Sequence, residues 1–448
     1  MNKNIDNLYA FCLRKLEKQF ELQKNSSSIL QECRGGLTTF LTMAYIIIVN
    51  PMILGKTGLD PHNVFWATCL SAAIGCLCVA WSSNYPIGIA PGMALNAFFA
   101  YHLVAQNGLT PETGLALICI SNLMLVLLCL TPLKNAIIPA IPPALGFAVS
   151  SGIGLFISLI ALKEMKLLVL THSGFFELGA LNNPALLIAL FGFVLIVTLE
   201  QRKIPGAILI SILSSTVLHF MFVRAPTVAV SSLAPTLTHT LPRFLNLSFH
   251  AIDFSFNQMS LMLTFLLVVL FDSAGTLIAI VQHHPEIKLE NKNQKTAHAL
   301  LANAVTSLIG SLLGTTPTSP YIESAAGIQA GGRTGLTACV TGICFLLALL
   351  VGSWISLIPM AATAPAILYV GCLMLGHVTQ IDWGKPTDAI PAALTLMLIP
   401  FTYSIADGIG IGFISYTLFH LFAGKPVQKT TWMLAGIFAL YFISRSTN

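Results

Sequence analysis

Thr315-Thr-Pro-Thr-Ser-Pro-Tyr-Ile-Glu-Ser-Ala-Ala-Gly-Ile-Gln-Ala-Gly-Gly-Arg333 is a stretch that no ordinary membrane helix would contain. The residues before Tyr321 are two prolines and four hydroxyl residues, a poor helix. Beyond it, Ser324, Ala325, Ala326 and Gly327 are small and can form a closely packed helix. The reading is an extended segment that breaks into a half-helix, with Glu323 in the first turn. Long apolar runs lie on both sides, so Glu323 is expected at membrane depth. Irregular backbone survives there only where it is buried in protein or lines a cavity. A half-helix N-terminus also points unpaired N–H groups and a partial positive charge at that cavity. The plainer alternative is a proline-kinked helix with a structural glutamate. Ionisable residues inside a membrane are rare, and that favours function over structure.

Composition agrees with a membrane setting. Hydrophobic residues make up 55% of the 448 and charged residues 9%, with a mean hydropathy of +0.82. A soluble domain carries about 25% charged residues, so the chain reads as an all-α polytopic membrane protein. The net charge of +5 sits in short loops between apolar runs and is no nucleic-acid signal. No cleavable signal peptide is evident, and the stretch from Phe11 to Leu22 is either an amphipathic interfacial helix or a solvated tail. The ten cysteines are scattered without metal-ligand spacing, so neither a metal site nor a disulfide framework is expected.

Runs long enough to span a bilayer fall at about 36–54, 63–82, 87–105, 113–131, 141–162, 184–200 and 204–222. After a polar connection at about 223–257, they resume at about 258–281, 297–313, 315–331, 335–357, 359–378, 388–403 and 405–423. That gives fourteen spans, flanked by a tail over 1–35 and another over 424–448. The segment Trp432–Ile443 is short for a span and can equally cap the bundle or lie at the interface. With the N-terminus in the cytoplasm, sixteen lysines and arginines fall on that side of the map against five on the other. Two sets of seven spans suggest a repeat, and the odd unit length inverts the second copy.

The repeat has internal echoes. Ile141-Pro-Pro-Ala opens span five and Ile358-Pro-Met-Ala opens span twelve. Span three mirrors span ten: Tyr85-Pro-Ile-Gly-Ile-Ala-Pro-Gly-Met-Ala-Leu-Asn-Ala-Phe-Phe also sets prolines and glycines before a helix with a polar residue, Asn96. Interrupted segments at matching positions of two halves point to a transporter binding site. Asn96, Asp272 and Glu323 are therefore expected to face one cavity. There Glu323 and Asn96 would pair with the edge of a flat heterocycle, and Phe98, Phe99, Phe271 or Tyr321 would stack on its face. Thr318 and Ser319 precede Tyr321, while Ser273 and Thr276 neighbour Asp272. Asp272 has no cation near it in sequence and is suited to exchanging a proton during transport. Asp407 sits at a span boundary and is either functional or the N-cap of span fourteen. An intramembrane aspartyl protease built on Asp272 and Asp407 lacks the required glycines. A channel lacks a repeated charged ring, and an anion carrier lacks a cation at that depth.

The chain resembles the AzgA-type purine permeases, the adenine/guanine/hypoxanthine branch of the nucleobase–cation symporters, from about Arg34 to Gly424. The motifs are Gly36-Leu-Thr-Thr-Phe-Leu-Thr-Met-Ala-Tyr-Ile, Ala90-Pro-Gly-Met-Ala-Leu-Asn-Ala-Phe-Phe-Ala, Leu270-Phe-Asp-Ser-Ala-Gly-Thr-Leu, Tyr321-Ile-Glu-Ser-Ala-Ala-Gly and Thr402-Tyr-Ser-Ile-Ala-Asp-Gly-Ile. The resemblance implies fourteen helices in a seven-plus-seven inverted repeat, with a core of spans 1–4 and 8–11 and a gate of spans 5–7 and 12–14. It implies purine binding and transport at Asn96, Asp272 and Glu323, a functional Asp407, and proton-coupled import with no cofactor beyond the proton. The expected setting is the inner membrane, with the bilayer and a purine nucleobase as partners. A homodimer is considered as the assembly. The alternative substrates on the same fold are another flat heterocycle, such as a pyrimidine or xanthine, or a small anion. Two departures from the family bear on specificity. Val269 stands where a polar or acidic residue is frequent, and Pro317 and Pro320 interrupt a Ser/Thr run, each removing a backbone donor.

Overall fold

In the computed structural model the described residues are Lys15, 17–131, 142–171, 176–223, 247–283, 292–350, Gly352 and 357–446. Most of the connection over 223–257, the first fourteen residues, and Lys134, Arg224, Arg243 and Lys288 of the charge map lie outside them, as does the side chain of Phe271.

The first half of the chain opens with helices α1 (Ile29–Met43), α2 (Ile46–Gly55) and α3 (Pro61–Ser83). Strand β1 (Ile89–Pro91) leads into α4 (Met93–Ala97), which runs on as a π-helical stretch over Phe98–Gln106. Then come α5 (Pro111–Leu130), α6 (Pro143–Glu164), an exposed hairpin of β2 (Leu168–Leu170) and β3 (Phe176–Leu178), α7 (Pro184–Gln201) and α8 (Ala207–Phe222). The second half has α9 (Phe256–His283), α10 (Lys292–Leu313), β4 (Thr318–Pro320), α11 (Ser324–Gln329) and α12 (Gly335–Ala348). It closes with α13 (Met360–Leu375) and a 3-10 turn over Gly376–Gln380, then α14 (Pro386–Thr402), α15 (Ile405–Phe422) and α16 (Lys429–Ser446).

The helix starts follow local chemistry. Ser28 and Gln31 form a capping box at α1. Asp60, Thr110 and Asn183 cap α3, α5 and α7, each followed by a proline in the first turn, where its missing N–H costs nothing. Among the described residues nine helical segments are long and apolar enough to cross a membrane, with α8, α12 and the apolar part of α16 shorter. Span one is longer than expected, beginning at Ile29, and it breaks at Ala44–Tyr45 into α1 and α2. The Trp432–Ile443 segment belongs to α16, which packs on α15 and α9 and stacks Phe438 against Phe413 at 6.1 Å.

The helices gather into two groups. In one, which we call the core, α3 packs on α10 and α12, α5 on α10, and α1 on α12. In the other, the gate, α6 packs on α13 and α14, α14 on α15, and α7 on α8 and α13.

The expectation of an all-α chain needs amending, because besides the β2–β3 hairpin the extended parts of spans three and ten meet as a sheet. β1 pairs antiparallel with β4 in the register Ile89–Pro320, Ala90–Ser319 and Pro91–Thr318. Gly92 donates its N–H to the Pro317 carbonyl at 3.0 Å, and Tyr321 donates to Gly88 at 3.0 Å. Each broken span thus supplies the hydrogen bonds the other lost, which the hydrocarbon interior demands. The same register corrects the reading of the prolines. Antiparallel pairs alternate between bonded and non-bonded, so Pro320 and Pro91 fall in non-bonded pairs and remove nothing from the ladder. Of the two prolines in span ten, only Pro317 occupies a bonded pair, where its own N–H is missing.

Candidate functional site

The paired strands end at a cavity of about 80 Å³ between core and gate. Its core wall carries Tyr45, Asp272, Thr276, Ser319, Tyr321 and Glu323, and its gate wall carries Ser150 and His377 beside Val370, Leu373 and Met374. Glu323 takes the N-cap position of α11, one residue ahead of the expected first turn. Its Oε1 accepts a hydrogen bond from the Tyr45 hydroxyl at 2.8 Å. Ser319 and Asp272 line the same wall of the cavity. The Tyr321 hydroxyl donates to the Pro91 carbonyl at 2.6 Å, and its ring tilts against Tyr45 at 6.5 Å. Every residue of β1 and β4 is buried, and the two carboxylates approach the cavity from different elements, α9 and the β4–α11 junction.

Several predicted residues lie behind this wall. Asn96 is fully buried and does not line the cavity: its Oδ1 accepts from the Thr316 hydroxyl, and its Nδ2 lies 3.7 Å from Met93 Sδ. Two residues past Ala94, which does face the cavity, the helix has turned by roughly 200°. Phe98 is likewise buried, stacked between Phe265 at 5.4 Å and His102 at 4.8 Å. Thr318 turns toward α10, with its Oγ1 3.2 Å from Asn303 Oδ1, and Ser273 accepts from Asn303 Nδ2 at 2.8 Å. Asn303 therefore links β4 to α9 behind Asp272. Asp407 is buried in the first turn of α15, away from the cavity wall. The cap of α15 is Ser404, whose hydroxyl accepts the Asp407 N–H at 3.1 Å. Val269 is buried in α9.

The structure adds four residues that sequence reasoning passed over. Tyr45 lies within the motif opening span one, but nothing local marks it as a partner of Glu323. Ser150 and His377 stand in separate spans, and the ring of His377 stacks on Phe147 at 6.5 Å with Nδ1 3.0 Å from Ser150 Oγ. Glu32 is the least expected, because it looks like part of a polar tail. It is fully buried. Its carboxylate accepts the N–H groups of Arg333, Thr334 and Thr337 at 3.1, 3.2 and 3.2 Å, and the hydroxyls of Thr337 and Ser27 at 2.5 Å each. These donors lie in the loop before α12 and in its first turn, so α1 clamps the loop that follows α11. The helices meet through glycine: a Cβ on Gly35 would lie 2.8 Å from Gly332 Cα, and one on Gly36 2.6 Å from the Thr337 carbonyl.

A cavity between two helical groups, reached by two broken spans and bordered by two half-buried acids, is the plan of a carrier. Comparison with known sequences agrees, since the family described as "Permease family" matches residues 30–409. The chain belongs to this permease family. Guanine/hypoxanthine permease PbuG of Bacillus subtilis (strain 168) is 39% identical to it over 438 residues, 95% of this permease and 98% of that one. Adenine permease AdeP of Escherichia coli (strain K12) is 36% identical over 428 residues, 96% of this permease and 95% of that one. The resemblance to the AzgA-type permeases is thus borne out. In fold alone, the permease is similar to the transmembrane domain of a cyanobacterium bicarbonate transporter, BicA, with a TM-score of 0.62 at 16% identity, covering 84% of this chain and 96% of that one. This permease is a multi-pass helical membrane protein, and a transporter rather than an enzyme.

Proposed function

We propose that this permease imports purine nucleobases by proton symport across the cytoplasmic membrane. The observation that carries the proposal is that Asp272 and Glu323 border one cavity where two broken spans pair, with no lysine or arginine among the described residues lining it. A carboxylate beside hydroxyls can hold the edge of a flat heterocycle through paired hydrogen bonds, and Tyr321 and Tyr45 offer aromatic faces. The similarity to a guanine/hypoxanthine permease and an adenine permease favours a purine over a pyrimidine. Glu323 holds the base, with Ser319 and Tyr321 beside it. Asp272, flanked by Ser319 and Thr276, takes up and releases the coupling proton. Asn96, Thr318 and Ser273 act from behind the wall by fixing β4 and α9, Phe98 packs the half-helix, and Asp407 serves the gate.

The proposal includes fourteen spans in a seven-plus-seven inverted repeat, 36–222 and 258–423, with the N-terminus in the cytoplasm. What supports it is that the broken spans stand at matching positions and run antiparallel, as an upside-down copy requires. A small-anion carrier on this fold is disfavoured, because two carboxylates face the cavity and no lysine or arginine does among the described residues. The deciding experiment is uptake of labelled adenine, guanine and hypoxanthine in cells lacking their own purine permeases. Uptake is expected to be blocked by unlabelled purines, spared by pyrimidines, and abolished by a protonophore. Protonophore-insensitive uptake would remove the proton, and no purine uptake by protein confirmed in the membrane would remove the substrate.

A further inference from the structure

The gate wall of the cavity offers few polar groups to a ligand: among the described lining residues only Ser150 and His377 can hydrogen-bond through their side chains. His377 is held from three sides. Its ring stacks on Phe147 with an interplanar angle of 12°. Its Nδ1 lies 3.0 Å from the Met374 carbonyl and 3.0 Å from Ser150 Oγ. A carbonyl can only accept, so the Met374 contact requires the proton on Nδ1. In the neutral imidazole, Nε2 then carries a lone pair and acts only as an acceptor. No described residue donates to that atom. The opposite wall, some of it carboxylate, also accepts N–H groups.

We propose that His377 is a specificity-determining residue, whose Nε2 accepts a ring or exocyclic N–H from the bound heterocycle on the edge opposite Glu323. This rests on the purine reading above and deepens it. The ligand class is a flat heterocycle with N–H donors on two opposite edges. Such a ligand bridges core and gate, since Glu323 belongs to one group of helices and His377 to the other. A heterocycle with an N–H on one edge only binds the core and leaves the gate unengaged. Phe147, Ser150 and the Met374 carbonyl orient the imidazole in advance, so that little ordering remains when the ligand arrives.

The test is competition for labelled purine uptake by parent purines and their 1-, 3-, 7- and 9-methyl derivatives, in wild type, H377F and H377Q. In wild type, at least one methyl isomer is expected to compete about tenfold or more weakly than its parent, the scale of one lost hydrogen bond. In H377F the KM of the parent rises about tenfold while the affinity of that isomer changes by less than about twofold, so their ratio collapses toward one. H377Q keeps an acceptor and retains most of the ratio. A fall in kcat in H377F with every ratio unchanged would overturn the proposal and leave His377 a packing residue. Wild type that takes each methyl isomer as well as its parent would overturn it without any variant. Wild type that takes up no purine overturns the purine reading and this one with it, whereas purine uptake with unaltered ratios overturns this one alone.

Discussion

The two broken spans share a backbone and differ in what they do with it. Both run extended for three residues, pair with each other, and restart as helix at a residue with the right geometry. Past that point they diverge. Span three continues through the π-helical stretch over Phe98–Gln106, and its polar residue, Asn96, turns inward to Thr316 on the partner span. Span ten gives only a short helix, ends at Gly331–Gly332, and leaves its polar residue, Glu323, at the cavity beside Tyr45. One half holds the junction together and the other presents chemistry. A shared pattern of extended segment and half-helix therefore does not make the two spans interchangeable, because a rotation of a residue or two on a helix separates wall from cavity.

The comparison breaks most sharply at the acids. E323Q is expected to lower purine uptake by about 100-fold or more with the protein still in the membrane, the scale of a lost charge-assisted hydrogen bond of about 3 kcal/mol. Near-normal transport by E323Q would mean that span ten presents nothing. D272N is expected to allow at most downhill exchange, so that accumulation fails while counterflow of labelled purine persists; accumulation at the wild-type level would remove Asp272 from coupling.

Smaller effects sharpen the other half. Y45F removes one donor to Glu323 and is expected to raise KM about five- to tenfold, a loss of about 1 kcal/mol. N96A and T316A are each expected to lower stability by about 1–2 kcal/mol, with a double mutant little worse than either, read from thermal melting in detergent. A purine KM that rises in N96A as steeply as in E323Q would place Asn96 in the cavity after all. The smallest effect is expected for P320A, whose position is a non-bonded pair, with KM within about twofold of wild type.

Much of this was legible in the chain. Glu323 announces itself because Pro317 and Pro320 forbid a helix just before small residues that favour one, and Asp272 because it stands alone in an apolar run. Asn96 is legible as the polar residue of span three, but its direction is not, since helical phase sets it and span three offers no independent phase marker. Ser150 and His377 were not legible as a pair, because they lie on α6 and after α13 respectively and meet only when the gate packs. Glu32 was concealed by its polar neighbours, which look like a solvated tail until α1 docks on α12.

By itself the sequence determined the membrane setting, the apolar spans, the two interruptions and the isolated acids. These follow from composition and from the residues that a helix cannot accommodate, and both are local properties. Tertiary structure alone decided that the interruptions pair with each other, that Pro320 falls in a non-bonded register, that Glu323 meets Tyr45, and that Asn96 faces away. Those depend on hydrogen bonds between residues more than two hundred positions apart. A buried polar group must find its partner wherever the fold places one, and the sequence does not say where that is.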